Sequence, residues 1–403
     1  MNLANGRYGE IDLSSGETQE HDLEEGYARS PTAFLSRIDA AIADAGEDAM
    51  AISSGILTGS LVPAAGAGFL RLVRDGSEAE SMCPLLGFVG VELKLSGFDF
   101  LVISGKASGH GYIWIRDGII EFVSSPGSAS LDSWGRTDLI RSEQGDGRIQ
   151  VIAAGSWAES QPPSSQLILN YWGGEDKIGC AAEFGSRKLT AIAFRGMGEL
   201  DLEDSEGHFA ASSELYGKHL AGLGENRGLA SFSSAAEHEG YSELLHRSIA
   251  CYGCPFPCRS FYKLFEDASV KERGAQEPGY LVYDVAAVEF LTSLELSPRD
   301  VITVLMRCAR FGAEPVSVAT AASAGGAVDI AAIQNVLESG GAGSSANSTL
   351  RRGFADSFED VSDYATCLAL GLCPRYWAKA GMDLEAIGRV SEPALGALIN
   401  IVD

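Results

Sequence analysis

The chain has 403 residues, 45% of them hydrophobic and 8% aromatic, enough for two or three domains with a sizeable core. It carries 55 acidic against 30 basic side chains, a formal net charge of −25. That balance argues against nucleic acid and anionic membrane surfaces, which are polyanions, and suits a solvated surface or one that docks a basic partner. No basic stretch followed by an apolar run opens the sequence, and no run of about 18 apolar residues occurs. The expectation is a cytoplasmic protein without a transmembrane helix. Eight cysteines are too few for a disulfide scaffold in a chain this long, so any that cluster need another reason.

In chain order, residues 1–203 read as β-rich. "YGEIDLSSGETQEHDL" is two short strand-like runs around Ser14-Ser15-Gly16. Pro31 to Gly46, "PTAFLSRIDAAIADAG", is the exception, with helical apolar spacing and a terminal glycine. "FLVISGKA" is a short apolar strand, and "GYIWIRDGIIEFV" is two runs joined by Asp117-Gly118, a strong hairpin signal. "RIQVIAAG", "SQLILNYW" and "LTAIAFRG" are further strands closed by glycine or polar residues. Many short strands punctuated by glycine predict a sandwich or barrel-like sheet domain.

Residues 204–403 read as α-helical. "ELYGKHLAGLG", "YSELLHRSIACYG", "YDVAAVEFLTSLEL", "SPRDVITVLMRCARFG" and "DIAAIQNVLESGG" all show helical spacing. Ser297 is placed as a cap with Pro298 at the first position, and Gly312 as the stop. Residues 340–348, "GGAGSSANS", read as a linker or loop. The fold class is therefore α+β: a β-rich N-terminal domain, then a helical region.

The chemistry concentrates in "CYGCPFPC". Cys251, Cys254 and Cys258 stand at C-x2-C-x3-C spacing, in a loop stiffened by Pro255 and Pro257. Crowded thiolates repel unless a positive centre neutralises them, and cysteine is the ligand that iron–sulfur and zinc centres select. From spacing alone an iron–sulfur cluster leads, ahead of a zinc site and of chance clustering. The fourth ligand comes from "DYATCLALGLC", either Cys367 or Cys373. Cys83, Cys180 and Cys308 sit in apolar or glycine-rich stretches and read as buried small hydrophobes. The six histidines show no ligand spacing; His246 reads as a helix cap or a neighbour of the cluster.

Several stretches together resemble the tungsten-dependent aldehyde:ferredoxin oxidoreductase family. They are "GRYGEIDLSSGET", "SSGILTGSLVPAAG", "GFVGVELKLSGFDFLVISGKA", "GCAAEFGSRKLTAIAFRG", "CYGCPFPC" and "LALGLC". The resemblance implies a β-rich first domain of that family's N-terminal type and helical domains carrying a [4Fe–4S] cluster on Cys251, Cys254, Cys258 and Cys373. It also implies a tungstopterin, aldehyde oxidation under anaerobic conditions, and electron transfer to ferredoxin or another electron-transfer protein. Lys177 and Gly179 are what remains of a pterin-binding stretch.

The sequence departs from the family in one direction. Met82 stands where a pterin-loop asparagine would be, Arg71 is displaced from its motif, and Glu314 replaces an aspartate. Leu281 follows Tyr280 where a glutamate is expected, with Glu277 and Asp284 nearby, and Leu368 replaces the aspartate before the last cysteine. Cluster ligands are retained while grips on a polyanionic pterin are lost. Two functions follow: a divergent redox enzyme of the family, or a non-catalytic cluster-bearing subunit working with a full-length homologue or in a homo-oligomer. A zinc-stabilised binding module is a weaker third.

Overall fold

The computed structural model describes residues 3–395 except 47, 74–80, 161, 223–239, 265–278, 283, 341–357 and 359. The glycine-rich segment after residue 340 and Glu277 thus lie outside the described residues.

Two sheets build the N-terminal half. The first has six strands in the order β2 (Glu17–Asp22), β1 (Arg7–Asp12), β6 (Phe100–Ser104), β3 (Met50–Ser54), β4 (Gly68–Leu72) and β5 (Met82–Leu85). β1 runs parallel to β6 and every other pair is antiparallel. The second has five strands, β10 (Leu167–Leu169), β9 (Gln150–Ala154), β11 (Leu189–Arg195), β7 (Gly111–Arg116) and β8 (Ile119–Ser124). The expected hairpins are present: Asp12 pairs with Glu17, and Arg116 pairs with Ile119. Asp117 and Gly118 both take positive φ at that turn, the conformation an Asp-Gly hairpin demands.

The sheets pack face to face. Met50, Ile52, Leu101 and Ile103 of the first meet Ile113, Ile115, Ile152, Ile192 and Phe194 of the second in one apolar cluster. This is the sandwich the glycine-punctuated strands predict. Side chains alternate along a strand, so Ala51, Phe69, Phe100 and Val102 point to the other face of the first sheet. There they meet helix Pro31–Ala45 and the C-terminal helices Val361–Ala369, Pro374–Ala380 and Leu384–Leu395. β3, β4 and β6 are buried on both faces, which explains their continuous apolar character.

The C-terminal half is helical, as expected, with one exception. "YSELLHRSIACYG" forms a strand rather than a helix. β12 (Leu245–Ile249) pairs with β13 (Arg259–Lys263), which pairs with β14 (Gly279–Val282). Tyr241, Leu244, Leu245 and Ile249 have helical spacing, but pairing with β13 overrides a local signal this short. His246 accordingly caps no helix; it lies on β12 with its ring 6.1 Å from that of Phe261. Helix Pro298–Phe311 starts and stops where read: the Ser297 hydroxyl accepts from the Asp300 amide, and Gly312 closes it at φ 68°.

One contact joins the halves. The loop after β3 lies against residues 369–373. Ile56 N–H donates to Ala369 C=O and Leu57 N–H to Leu370 C=O, both at 2.9 Å, and Ala67 N–H donates to Gly371 C=O at 3.0 Å. Backbone meets backbone so closely that a Cβ on Gly55 would fall on the Gly371 amide. Gly371 itself has φ +79°. The buried Lys94 ammonium holds the loop from below, donating to Gly55 C=O and Ile56 C=O at 2.8 Å each. We expect Gly55→Ala to destabilise the protein by about 1–3 kcal/mol, because no flexible side chain can yield there. Urea unfolding of the variant against the parent measures this; equal midpoints would show that the two segments can part without cost.

Candidate metal centre

Cys251, Cys254 and Cys258 occupy the connection between β12 and β13, so the pairing of those strands brings the two ends of the cysteine loop together. Within it, Cys254 N–H donates to Cys251 C=O at 3.2 Å and Cys258 N–H to Phe256 C=O at 2.9 Å. Gly253 sits at the tip with φ +60°. The loop after β3 bridges to the C-terminal segment: Ala64 N–H donates to Gly253 C=O and Cys373 N–H donates to Ala64 C=O, each at 3.0 Å. Tyr252 Oη donates to Gly59 C=O at 2.8 Å, and Trp377 Nε1 to Pro63 C=O at 3.0 Å. The stretch "SSGILTGSLVPAAG" is thus the bracket that carries Cys373 to the hairpin.

Cys373 is buried and feels all three hairpin thiols. Burial first, and then the charges of Cys251, Cys254 and Cys258, push its thiol well above the ordinary range. Burial also raises Cys251, and pushes Cys254 up to about 12. All four are free of disulfides. Arg259 is the countercharge that lowers both Cys251 and Cys254, with Arg375 also acting on Cys251. Cys367 is placed differently. Its Sγ donates to Leu372 C=O at 3.4 Å, and Asp363 is the charge that acts on it after burial. No three of the four convergent sulfurs lie within 4.8 Å of one another; among the described residues the only three-donor group that tight is Cys83, Asp176 and Cys180. In that group the Asp176 carboxylate already accepts four backbone amides, from Leu167, Ile178, Cys180 and Ala181. Its lone pairs are spent on the backbone. Cys83, Cys180 and Cys308 are all buried, in apolar clusters.

Beside the cysteines lies a second buried set that no local pattern marks. Lys177 Nζ donates to Asp284 Oδ2 at 2.5 Å and to Glu314 Oε1 at 3.1 Å. Both carboxylates are also helix caps: Asp284 accepts from the Ala287 amide and Glu314 from the Ser317 amide. Burial alone would lower Lys177 and raise Asp284; their pairing reverses both, keeping Lys177 high and Asp284 below the usual carboxylate range. Gly179 has φ +76° and precedes the short helix Cys180–Ser186. Two residues before Lys177, Glu175 is buried, and burial first, then Asp284, pushes its carboxyl up to about 7. Nothing in "GGEDKIG" distinguishes Glu175 from a surface acid; only its three-dimensional neighbours do.

The first 200 residues carry the similarity to known proteins. Residues 8–196 match the aldehyde ferredoxin oxidoreductase N-terminal domain. The chain is a divergent relative of that family. Tungsten-containing aldehyde ferredoxin oxidoreductases of Thermococcus kodakarensis and Pyrococcus furiosus are 24% and 23% identical, over 64% and 63% of this chain and 49% and 48% of their own lengths. The chain thus matches about half the length of these relatives. A solved structure described as the active site complex BamBC of benzoyl coenzyme A reductase shares the fold, with TM-score 0.64, 14% identity, and coverage of 96% of this chain and 65% of that one.

A tungstopterin, as the relatives' names imply, is a polyanion that needs free positive charge. The motif residues here do not offer it. Lys177 is taken by Asp284 and Glu314, and Arg71 is held bidentate by Asp39 at 2.9 Å on both arms. The two motif cations, Lys177 and Arg71, are therefore paired within the chain and do not fit a grip on that pterin.

Two predictions follow from the charges. Lys177→Met leaves two buried carboxylates unpaired and should cost about 3–5 kcal/mol of stability; a loss below about 1 kcal/mol in denaturant unfolding would mean the lysine is not structural. Glu175 binds its proton more tightly folded than unfolded, so its contribution is full below pH about 4.5 and is lost as pH rises through about 7. Glu175→Gln should therefore match the parent near pH 4.5 and be more stable by about 3 kcal/mol at pH 8. Calorimetric melting at the two pH values reads the difference; a gap that does not depend on pH contradicts it.

Proposed function

We propose that this chain is a redox protein of the aldehyde ferredoxin oxidoreductase type, holding a [4Fe–4S] cluster on Cys251, Cys254, Cys258 and Cys373 and passing electrons to a ferredoxin or similar carrier. The convergence of four undisulfided thiols from two distant segments carries the reading. Their spacing supports a cluster over a single ion. Ligands of one tetrahedral zinc lie about 3.8 Å apart, as Zn–S bonds of about 2.3 Å require. A cube that takes one thiolate on each iron holds its cysteines farther apart. Arg259 and Arg375 supply positive charge beside thiolates that burial disfavours. The loop also meets the surface: Gly253 is exposed, and Phe88, 45% exposed, packs its ring 6.4 Å from that of Tyr252. An electron-transfer partner can approach there.

Aldehyde oxidation belongs to the relatives by name and comes to this chain only with their tungsten. The occupied Lys177 and Arg71 favour the second reading, a cluster-bearing electron-transfer subunit without tungstopterin that serves a catalytic partner. Metal analysis of anaerobically purified protein separates the cases. About four iron and four acid-labile sulfide per chain without tungsten is the expected result; one tungsten per chain would restore the enzyme reading, and zinc alone would overturn both. Cys254→Ser should abolish iron binding, and Cys373→Ala should remove more iron than Cys367→Ala. The reverse order would move the fourth ligand to Cys367.

A further inference from the structure

A cleft of about 440 Å³ opens beside the end of helix Pro298–Phe311, lined by Asp132, Arg307, Arg310, Phe311 and Gln334. Its size suits a small organic molecule. Three elements build it: Asp132 caps helix Ser133–Gln144, Gln334 lies on helix Ile330–Glu338, and the other three residues come from the last two turns of helix Pro298–Phe311. Phe311 packs against the apolar cluster that contains Trp134 and Leu305, whereas the four proposed ligand cysteines belong to or pack against a different one. The charges in the cleft are unequal. Arg310 Nε donates to Asp132 Oδ2 at 2.6 Å, so those two offset each other. Arg307 donates to the Gln334 amide oxygen at 3.1 Å, and among the described residues no carboxylate pairs with it. The Gln334 amide nitrogen is itself engaged, donating to Glu338 Oε1 at 2.8 Å. Arg307 and Arg310 stand three apart on one helix, where like charges are neighbours and repel. The helix end does not require either of them. Its last carbonyls are already met: Ala309 C=O accepts from the Gly312 amide at 3.1 Å and the Ser133 hydroxyl at 2.8 Å, and Cys308 C=O from the Ala313 amide at 2.9 Å. The cleft thus keeps one positive charge beside an aromatic wall, in a chain with 55 acidic and 30 basic side chains.

We propose that this cleft binds a small organic monoanion, a carboxylic acid with an apolar body. The carboxylate pairs with the Arg307 guanidinium, whose planar fork matches two carboxylate oxygens. The body lies along Phe311 and the methylene stems of the two arginines. One positive charge is left on the walls; a monoanion cancels it and a phosphate dianion overshoots it. Gln334 presents an oxygen to Arg307, so it orients the guanidinium and leaves the ligand to the free N–H groups. The site uses none of the cysteines and stands whether or not they hold a cluster.

The test is calorimetric titration of the full-length protein with three probes: 3-phenylpropanoate, 3-phenylpropan-1-ol, which keeps the body without the charge, and inorganic phosphate, which keeps the charge without the body. The acid should bind once per chain with a Kd on the order of 1 mM. The alcohol and phosphate should each bind about tenfold more weakly or not at all. Arg307→Gln should weaken the acid by about tenfold or more, and Arg307→Lys, which keeps the charge without the fork, should fall between that variant and the parent. Absence of saturable acid binding by the parent overturns the proposal. So does phosphate binding as tight as the acid, or acid binding unchanged in Arg307→Gln. Should the glutamine variant fail to fold, phenylglyoxal labelling of the parent, read by peptide mass, decides. Slower labelling of Arg307 in the presence of 3-phenylpropanoate, with the exposed Arg148 unaffected, supports the site; equal labelling of Arg307 with and without the acid overturns it.

Discussion

Everything at the centre depends on a backbone-to-backbone contact between Gly55 and Gly371. Two segments more than 300 residues apart lie so close that neither tolerates a side chain. Three loop hydrogen bonds and the Lys94 ammonium hold the approach in register. Lys94 is buried with its charge on two carbonyl oxygens, and burial lowers its pKa to about 8. Accepting that desolvation makes sense only if the loop must not move. Once it is fixed, Ala64 can accept from Cys373 and donate to Gly253 at the same time. Cys373 then lies within electrostatic reach of Cys251, Cys254 and Cys258.

The rest of the architecture supplies rigidity for this clasp. The first sheet is buried on one face by the second sheet and on the other by the C-terminal helices, so the strand that launches the loop, β3, lies wholly in the interior. The hairpin β12–β13 does the same for the three-cysteine loop, with Phe261 and Leu281 facing one apolar cluster and Tyr262, Tyr280 and Val282 facing another. Cysteines placed on a connection between two fixed elements can present several sulfurs to one centre, while the elements bear the cost of ordering the loop.

Charge is arranged in two adjoining buried sets. The cysteines are served by Arg259 and Arg375, and the carboxylates by Lys177, with Arg375 reaching both. Lys177 does more than neutralise. It ties together the capping carboxylates of two helices, Val285–Ser293 and Pro315–Ser323, and fastens them to the segment that follows β10. A cation spent this way is unavailable to a phosphate. Lys177 and Arg71 both spend their positive charge on this chain's own carboxylates.

The sequence by itself determined the β-rich half, its hairpins at Ser14–Gly16 and Asp117-Gly118, the helix bounded by Ser297 and Gly312, and the three-cysteine loop. These are local signals, set by the φ of a glycine, a capping hydroxyl or the period of an apolar pattern. It also carried the family resemblance, through motifs whose glycines and alanines turn out to be points of close backbone approach. Only the tertiary structure decided what depends on pairing between distant segments. β12 reads as helix over a few residues and becomes a strand because β13 is there to pair with it. The resemblance favours Cys373 over Cys367, and in space it is the Cys373 amide that donates to the Ala64 carbonyl beside the hairpin, while the Cys367 thiol donates to Leu372 C=O. Glu175 and Lys177 look like surface residues in sequence, and their burial, partners and proton affinities arise from elements at 284, 314 and 375. Desolvation and Coulomb energy depend on what surrounds a group in space, which no local pattern records.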